Sequence, residues 1–166
     1  EWIATVEPYD GSFEPGREGE NPNIAIQRWW MKKRAEVGLA IPHWPKAFGG
    51  EDLDMGLQAV MMEEFARGRC PSQHLYIVSL NHIPATLMEW GTPEQRARYM
   101  PGVAAGEVWC QGFSEPGAGS DLAALRTRAE NKGDHYLING QKIWSSYSMY
   151  ANRCILLART DADSQR

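Results

Sequence analysis

The chain has 166 residues and a formal net charge of −4, with 43% hydrophobic and 23% charged residues. That balance belongs to one large or two small globular domains with a real core, and it excludes a disordered chain and a large basic footprint for nucleic acid. The longest apolar stretch, from Leu75, is interrupted by Asn81, His82 and Pro84, well short of the roughly 20 residues of a membrane span. Residue 1 is Glu and the last residues follow an apolar, strand-like run, so the 166 residues are expected to be part of a longer protein.

Residues 1–23 carry Pro8, Gly11, Pro15, Gly16, Gly19 and Pro22 among several acids, which is loop composition. A helix is predicted over 24–37, with Ile26, Trp30 and Val37 on one face and Gly38 as its stop. Residues 39–50 hold Pro42, Pro45, Gly49 and Gly50 and read as a loop anchored by Trp44 and Phe48. A second helix is predicted over 55–67, with Asp54 as N-cap, Gly68 at C′ and a stripe of Leu57, Val60, Met61 and Phe65. A third is expected over 72–90, kinked by Pro84. The fourth has the plainest start signal: Thr92 as N-cap, Pro93 at N1 and Gln95 closing a capping box, with an end near Ala105.

Beyond Gly106 the texture becomes strand-like. Residues 108–113, 136–139, 142–145 and 154–160 are short apolar runs, and 123–130 is a further candidate strand. Asn139-Gly140 between two of these runs is the hairpin dipeptide. The expected fold class is therefore α+β. An all-helical domain over 1–106 precedes an incomplete antiparallel β domain over 107–166.

Cys70, Cys110 and Cys154 are odd in number and widely spaced. They read as thiols in a reducing compartment rather than a disulfide framework or a zinc site. His43, His74, His82 and His135 have no metal-ligand spacing, so no metal is expected. Trp29, Trp30 and Trp44 read as core and loop anchors, and Glu63-Glu64 as a solvated face or a partner for Arg67.

Two segments carry chemistry. Glu115-Pro-Gly-Ala-Gly-Ser-Asp121 follows a strand, and its glycines leave backbone N–H groups and the Ser120 hydroxyl open to a phosphate. It lacks the third glycine of a dinucleotide fingerprint and the lysine of a P-loop, so these residues alone favour an ordinary Gly-rich turn. Trp144-Ser145-Ser146 places an aromatic plane beside two hydroxyls, which suits a planar cofactor, although these residues alone favour a core strand tryptophan with two turn serines.

Taken together these segments resemble the acyl-CoA dehydrogenases. Trp109-Cys-Gln-Gly-Phe-Ser-Glu-Pro-Gly-Ala-Gly-Ser-Asp-Leu122 is similar to the family's flavin signature, and Asn139-Gly-Gln-Lys-Ile-Trp-Ser-Ser146 to its second signature. Gly91-Thr-Pro-Glu-Gln95, Tyr99-Met-Pro101, Leu156-Leu-Ala-Arg-Thr160 and the stretch from Pro42 to Gly50 match it as well. The resemblance covers nearly the whole chain from Ile24. The wording of the first signature is closest to a bacterial branch linked to sterol and other bulky acyl-CoA thioesters.

The resemblance implies FAD as cofactor and oxidation of an acyl-CoA to the trans-2-enoyl-CoA, with electrons passed to an electron-transfer flavoprotein or a similar acceptor. It implies a homo- or hetero-oligomer in a bacterial cytoplasm, or in a mitochondrial matrix if the source is eukaryotic. The cofactor-binding residues it implies are Gln111, Phe113, Ser114, Gly119, Ser120, Trp144, Ser145 and Ser146. Residues 111–114 would run along the isoalloxazine, Gly119 and Ser120 would hold the pyrophosphate, Trp144 would cover the ring and Ser146 would donate to flavin N5. For the substrate it implies Ser120, Tyr76, Leu80 and Leu87. The family's base is a Glu of a C-terminal helical bundle that this chain does not reach, so no catalytic residue is expected here, and Glu115 is assigned to the loop scaffold. The chain alone is expected to be inactive. Two other readings stand beside this one: a flavin oxidase or monooxygenase of the same fold, and a non-catalytic subunit that works beside a complementary chain.

Overall fold

A computed structural model describes residues 2–7, 9 and 21–161. Contacts divide the chain into two units, Glu1–Glu107 and Val108–Arg166. Much of the lead-in predicted over 1–23 lies outside the described residues; within it Trp2–Thr5 forms a short helix, α1, rather than loop.

The first unit is helical. Helix α2 spans Pro22–Glu36, two residues ahead of the predicted start, because the Asn21 side chain caps it by accepting from the Asn23 N–H at 2.9 Å. Gly38, at φ +75, stops it as predicted. Its buried face is not the predicted one. Ile24, Ala25, Gln27, Trp30, Met31 and Arg34 are buried, whereas Ile26 is half-buried and Val37 exposed. Two polar residues hold core positions because their groups are bonded there. Gln27 donates to the Asn23 carbonyl at 3.0 Å and accepts from the Leu75 N–H at 2.9 Å. Arg34 Nε donates to the Leu39 carbonyl at 2.7 Å. Trp30 stacks on Trp2 and meets the edge of Phe65, with ring centres 5.6 and 5.5 Å apart.

Helix α3 spans Met55–Arg67 with the predicted cap: Asp54 Oδ1 accepts from the N–H groups of Gly56 and Leu57. Its end differs from expectation. Gly68 keeps a helical φ of −72, and Arg69 takes the left-handed turn at φ +50. Gly68 is instead required for space, since a Cβ there would lie 2.7 Å from Ile3 Cγ2. Of the predicted stripe Phe65 is buried and Met61 half-buried, while Leu57 and Val60 are exposed.

The helix predicted over 72–90 is broken into a 3-10 turn, His74–Tyr76, a π turn, Val78–His82, and helix α4, Ile83–Trp90. Pro84 has no N–H for the carbonyl four residues earlier, that of Leu80. Trp44 Nε1 and His43 Nε2 donate to that carbonyl instead, each at 3.4 Å. The predicted kink is thus a π turn closed from outside by the proline-rich loop. Helix α5, Pro93–Ala104, carries both bonds of the predicted capping box. Arg96 fixes its junction with α4 by donating to the Leu87 and Gly91 carbonyls, both at 3.0 Å.

The second unit mixes strand pairings. β1 (Trp109–Gly112) runs parallel to β4 (Arg153–Leu156), and β2 (Arg128–Asn131) antiparallel to β3 (Tyr136–Asn139). The expected antiparallel pairing therefore holds for one pair only. The forty residues from 113 to 152 give β1 and β4 the long connection that a parallel pair needs. The candidate strand over 123–130 begins only at Arg128, after a 3-10 turn at Leu122–Ala124. Nor is 142–145 a strand.

The hairpin turn lies elsewhere than predicted. Gly133, at φ +99, closes the β2–β3 turn, where Asn131 Oδ1 accepts from the Gly133 N–H. Gly140 serves a close approach: a Cβ there would stand 2.2 Å from Thr127 Oγ1 and 2.7 Å from Thr127 Cα. Gly140→Ala is therefore expected to cost roughly 3 kcal/mol or more. Asn139→Ala, at an exposed position, should change stability by less than about 0.5 kcal/mol. Urea denaturation of the two variants checks the difference.

Candidate functional site

The site is built around one carboxylate. β1 leads through Phe113 and Ser114 to Glu115, where the chain turns back in a bridge with Ala118 (N–O distances 2.8 and 3.1 Å). Glu115 is only 7% exposed. Its Oε2 accepts from the Arg126 N–H at 2.6 Å, and its Oε1 from the Thr127 N–H and from Lys142 Nζ, both at 2.8 Å. Lys142 also donates to the Phe113 carbonyl at 2.9 Å. Burial by itself raises a carboxyl pKa, but Lys142, the Thr127 side chain and the backbone N–H groups of Arg126 and Thr127 outweigh it and hold Glu115 at about 2, against an ordinary 4.5. Three separate stretches, 113–115, 126–127 and 142, are thereby clamped to one ionised group.

The clamp positions the second signature. After Lys142, the Ile143 N–H donates to the Ser114 carbonyl at 2.9 Å, so the two signatures run side by side. Trp144 then turns in the left-handed region at φ +57 with 82% of its surface exposed. Tyr147 follows at φ +61. Bulky side chains rarely adopt this backbone, and an exposed indole gains nothing from it in a core. The reading of Trp144 as a core strand tryptophan therefore fails.

The predicted cofactor residues fall as follows. Phe113, Ser114 and Ser145 are half-buried, and Ser146 is exposed. Gln111 is half-buried on β1, and its Oε1 is a buried acceptor without a donor. Gly119 and Ser120 lie exposed beyond the turn, with open space around a Cβ placed on Gly119. An open backbone loop, a free aromatic plane beside two hydroxyls and an orphaned acceptor on the neighbouring strand are features that fit a phosphate-bearing, planar, hydrogen-bonding cofactor.

The predicted substrate residues lie in the first unit, apart from Ser120. Tyr76 and Leu80 are buried and line a cleft of about 450 Å³; Leu87 is half-buried on α4 and is not among its lining residues. Lys142 was not legible as a site residue, because its partner lies 27 positions away and no local pattern joins them. Buried Arg34 and half-buried Gln73 in the cleft wall were also missed, because an arginine on a helix and a glutamine in a loop read as solvent-facing. Among the described residues no cluster of three or more His, Cys, Asp or Glu could hold a metal, and no helix is long and apolar enough to cross a membrane.

Two family profiles match the chain: "Acyl-CoA dehydrogenase, N-terminal domain" over residues 6–107 and "Acyl-CoA dehydrogenase, middle domain" over 110–166. A curated relative, acyl-CoA dehydrogenase IpdE1 of Mycobacterium tuberculosis, is 41% identical over 92% of this chain and 39% of its own length. Among solved structures, the Tcur3481-Tcur3483 steroid ACAD G363A variant is similar with a TM-score of 0.79 and 34% identity, over 99% of this chain and 42% of that one. A glutaryl-CoA dehydrogenase from Mycobacterium smegmatis in complex with FADH2 is similar with a TM-score of 0.63 and 25% identity, over 87% of this chain and 39% of that one. The chain thus spans about two fifths of the length of the proteins it matches.

The clamp has a pH signature. Because the folded pKa of Glu115 is depressed, its stabilisation is fully present above about pH 4.5 and is lost as pH falls towards 2. Denaturation between pH 6 and 2.5 should show this part of the slope in the wild type and not in Glu115→Gln. Lys142→Met, which leaves the carboxylate buried without its cation, should cost roughly 3 kcal/mol at pH 7.

Proposed function

The chain belongs to the acyl-CoA dehydrogenase family, and from that membership we propose that it serves the FAD-dependent oxidation of a bulky, sterol-derived acyl-CoA thioester to its trans-2-enoyl-CoA. The observation that carries the reading is Trp144, held in a strained, exposed conformation beside Ser114 by the Ile143–Ser114 backbone bond. The hydride-accepting chemistry would come from FAD. Trp144 would cover the ring, Ser114 and Gln111 would meet its polar edge, and Ser146 would donate to the nitrogen that becomes electron-rich as the β-hydride arrives. Gly119 and Ser120, open at the loop, would take the pyrophosphate, with Ser120 also near the CoA arm.

Glu115 does not act as the base in this reading. A carboxylate with three donors and a pKa near 2 has little affinity for an α-proton at neutral pH. The α-proton would go to a carboxylate outside this chain, and the chain alone would not desaturate a substrate. Tyr76 and Leu80 would receive the acyl group, and the similarity to a steroid ACAD supports a bulky one. Electrons would leave through an electron-transfer flavoprotein or a similar acceptor. The exposed apolar side chains of α3, Leu57 and Val60 on one side and Met55 and Met62 on the other, support an oligomer or further chain packed against it. A reducing bacterial interior suits the three free cysteines.

The test is spectroscopic. The native protein, isolated from its own cells, should carry a yellow flavin that bleaches with 3-cyclohexylpropanoyl-CoA or a related alicyclic thioester. A colourless protein, or a flavin that no acyl-CoA bleaches, would contradict the proposal. Trp144→Ala should weaken FAD binding about tenfold, the loss of an aromatic contact of roughly 1.5 kcal/mol. Fluorescence titration measures it.

A further inference from the structure

The cleft that holds Tyr76 and Leu80 has a polar wall that an apolar acyl group does not explain. Arg34 lines it and is only 3% exposed. Its Nε and Nη2 are used on the Leu39 and Ala40 carbonyls, at 2.7 and 3.4 Å, and its plane lies over the Phe65 ring. Its Nη1 is buried with no hydrogen-bond partner. Gln73 lines the same cleft, and its Nε2 is likewise buried without a partner. These are the two unsatisfied buried side-chain atoms among the described residues of the first unit, and both are donors in the wall of one cavity. Among the described residues no Asp or Glu lines the cavity. Burial lowers the Arg34 guanidinium to about 10, so it stays charged at neutral pH, and burial raises the nearby Cys70 thiol, which stays neutral. His43, also in the wall, is pushed by burial below its ordinary value and supplies no negative charge.

A buried cation without a counter-ion and a buried amide without an acceptor are each costly. Both costs are relieved by one group, a carboxylate, which accepts from a guanidinium and from an amide together. At about 450 Å³ the cleft has the size of a small-molecule site, and Trp30, Phe65 and Leu80 give it an apolar body. Both nitrogens are buried in residues that line the cleft, so a group bound there is placed to supply the acceptor that each lacks.

We propose that the cleft receives the far end of the acyl group, and that this end carries a carboxylate bound by Arg34 and Gln73. The inference rests on the reading of this cleft as the acyl pocket. It assigns the substrate class as acyl-CoA thioesters with a second carboxylate remote from the thioester, and Arg34 as the residue that selects them.

Two probes that differ only at the tip test it on the native protein: 3-cyclohexylpropanoyl-CoA and 3-(4-carboxycyclohexyl)propanoyl-CoA. Dissociation constants from calorimetry and the extent of flavin bleaching are both read. The carboxylate probe should bind at least about tenfold tighter. Arg34→Met should abolish that preference, and Gln73→Leu should reduce it, while Arg34→Lys keeps part of it. Equal binding of the two probes by the wild type, or preference for the uncharged one, overturns the inference while leaving the proposed function intact if both bleach the flavin. Bleaching by neither probe defeats the proposed function, and the inference falls with it. The wild-type ratio needs no variant, so a misfolded Arg34→Met leaves the test decisive.

Discussion

A single ionised carboxylate determines where the second unit's loops run. Glu115 is the one point at which the end of the β1 segment, the approach to β2 and the start of the 142–146 segment meet. Its two oxygens receive two backbone N–H groups and an ammonium, and the same ammonium bonds the Phe113 carbonyl. An irregular loop has no ladder to satisfy its backbone, so a buried anion is an effective organiser of one. The tie from Ile143 to Ser114 follows from this clamp, and the strained turn at Trp144 follows from that tie. Strain of this kind persists only where its surroundings over-determine it. Here the surroundings are the Glu115–Lys142 pair and the Gly140–Thr127 contact.

The first unit uses the same device with the charge reversed. Arg34 ends α2 inside the core by bonding carbonyls of residues 39 and 40, and Gln27 bridges α2 to the segment that begins at Leu75. The Leu80 carbonyl, freed by Pro84, is taken up by His43 and Trp44. The cleft is bounded by these polar connections as much as by apolar packing. That explains how it combines an apolar body with donors in its wall.

The parts of this structure that were legible in the sequence are those set by neighbouring residues. Asp54, Gly38 and the Thr92–Gln95 box mark helix ends because a cap is a bond between residues two or three apart. The family resemblance was legible because both signatures are contiguous. What escaped depends on distant partners. Hydrophobic periodicity misplaced the α2 face because Gln27 and Arg34 are buried through hydrogen bonds, and a periodicity argument counts them as solvent-facing. Asn139-Gly140 has the composition of a hairpin turn, yet Gly140 is glycine because Thr127 lies against it. The parallel pairing of β1 and β4 depends on chain forty residues away. Trp144 was ambiguous until its exposure and backbone angle were known.

In the proposed function, the Glu115 clamp organises the loop that would hold the cofactor. The direct measurement is the dissociation constant of FAD for the native protein against Glu115→Gln, at pH 7 and with the helical unit's fold checked by circular dichroism. Glutamine keeps the shape and removes the charge that holds Lys142 and the two N–H groups. Glu115→Gln should bind FAD about tenfold or more weakly than the native protein, the equivalent of one charge-assisted contact. FAD affinity unchanged in Glu115→Gln would contradict this role of the clamp.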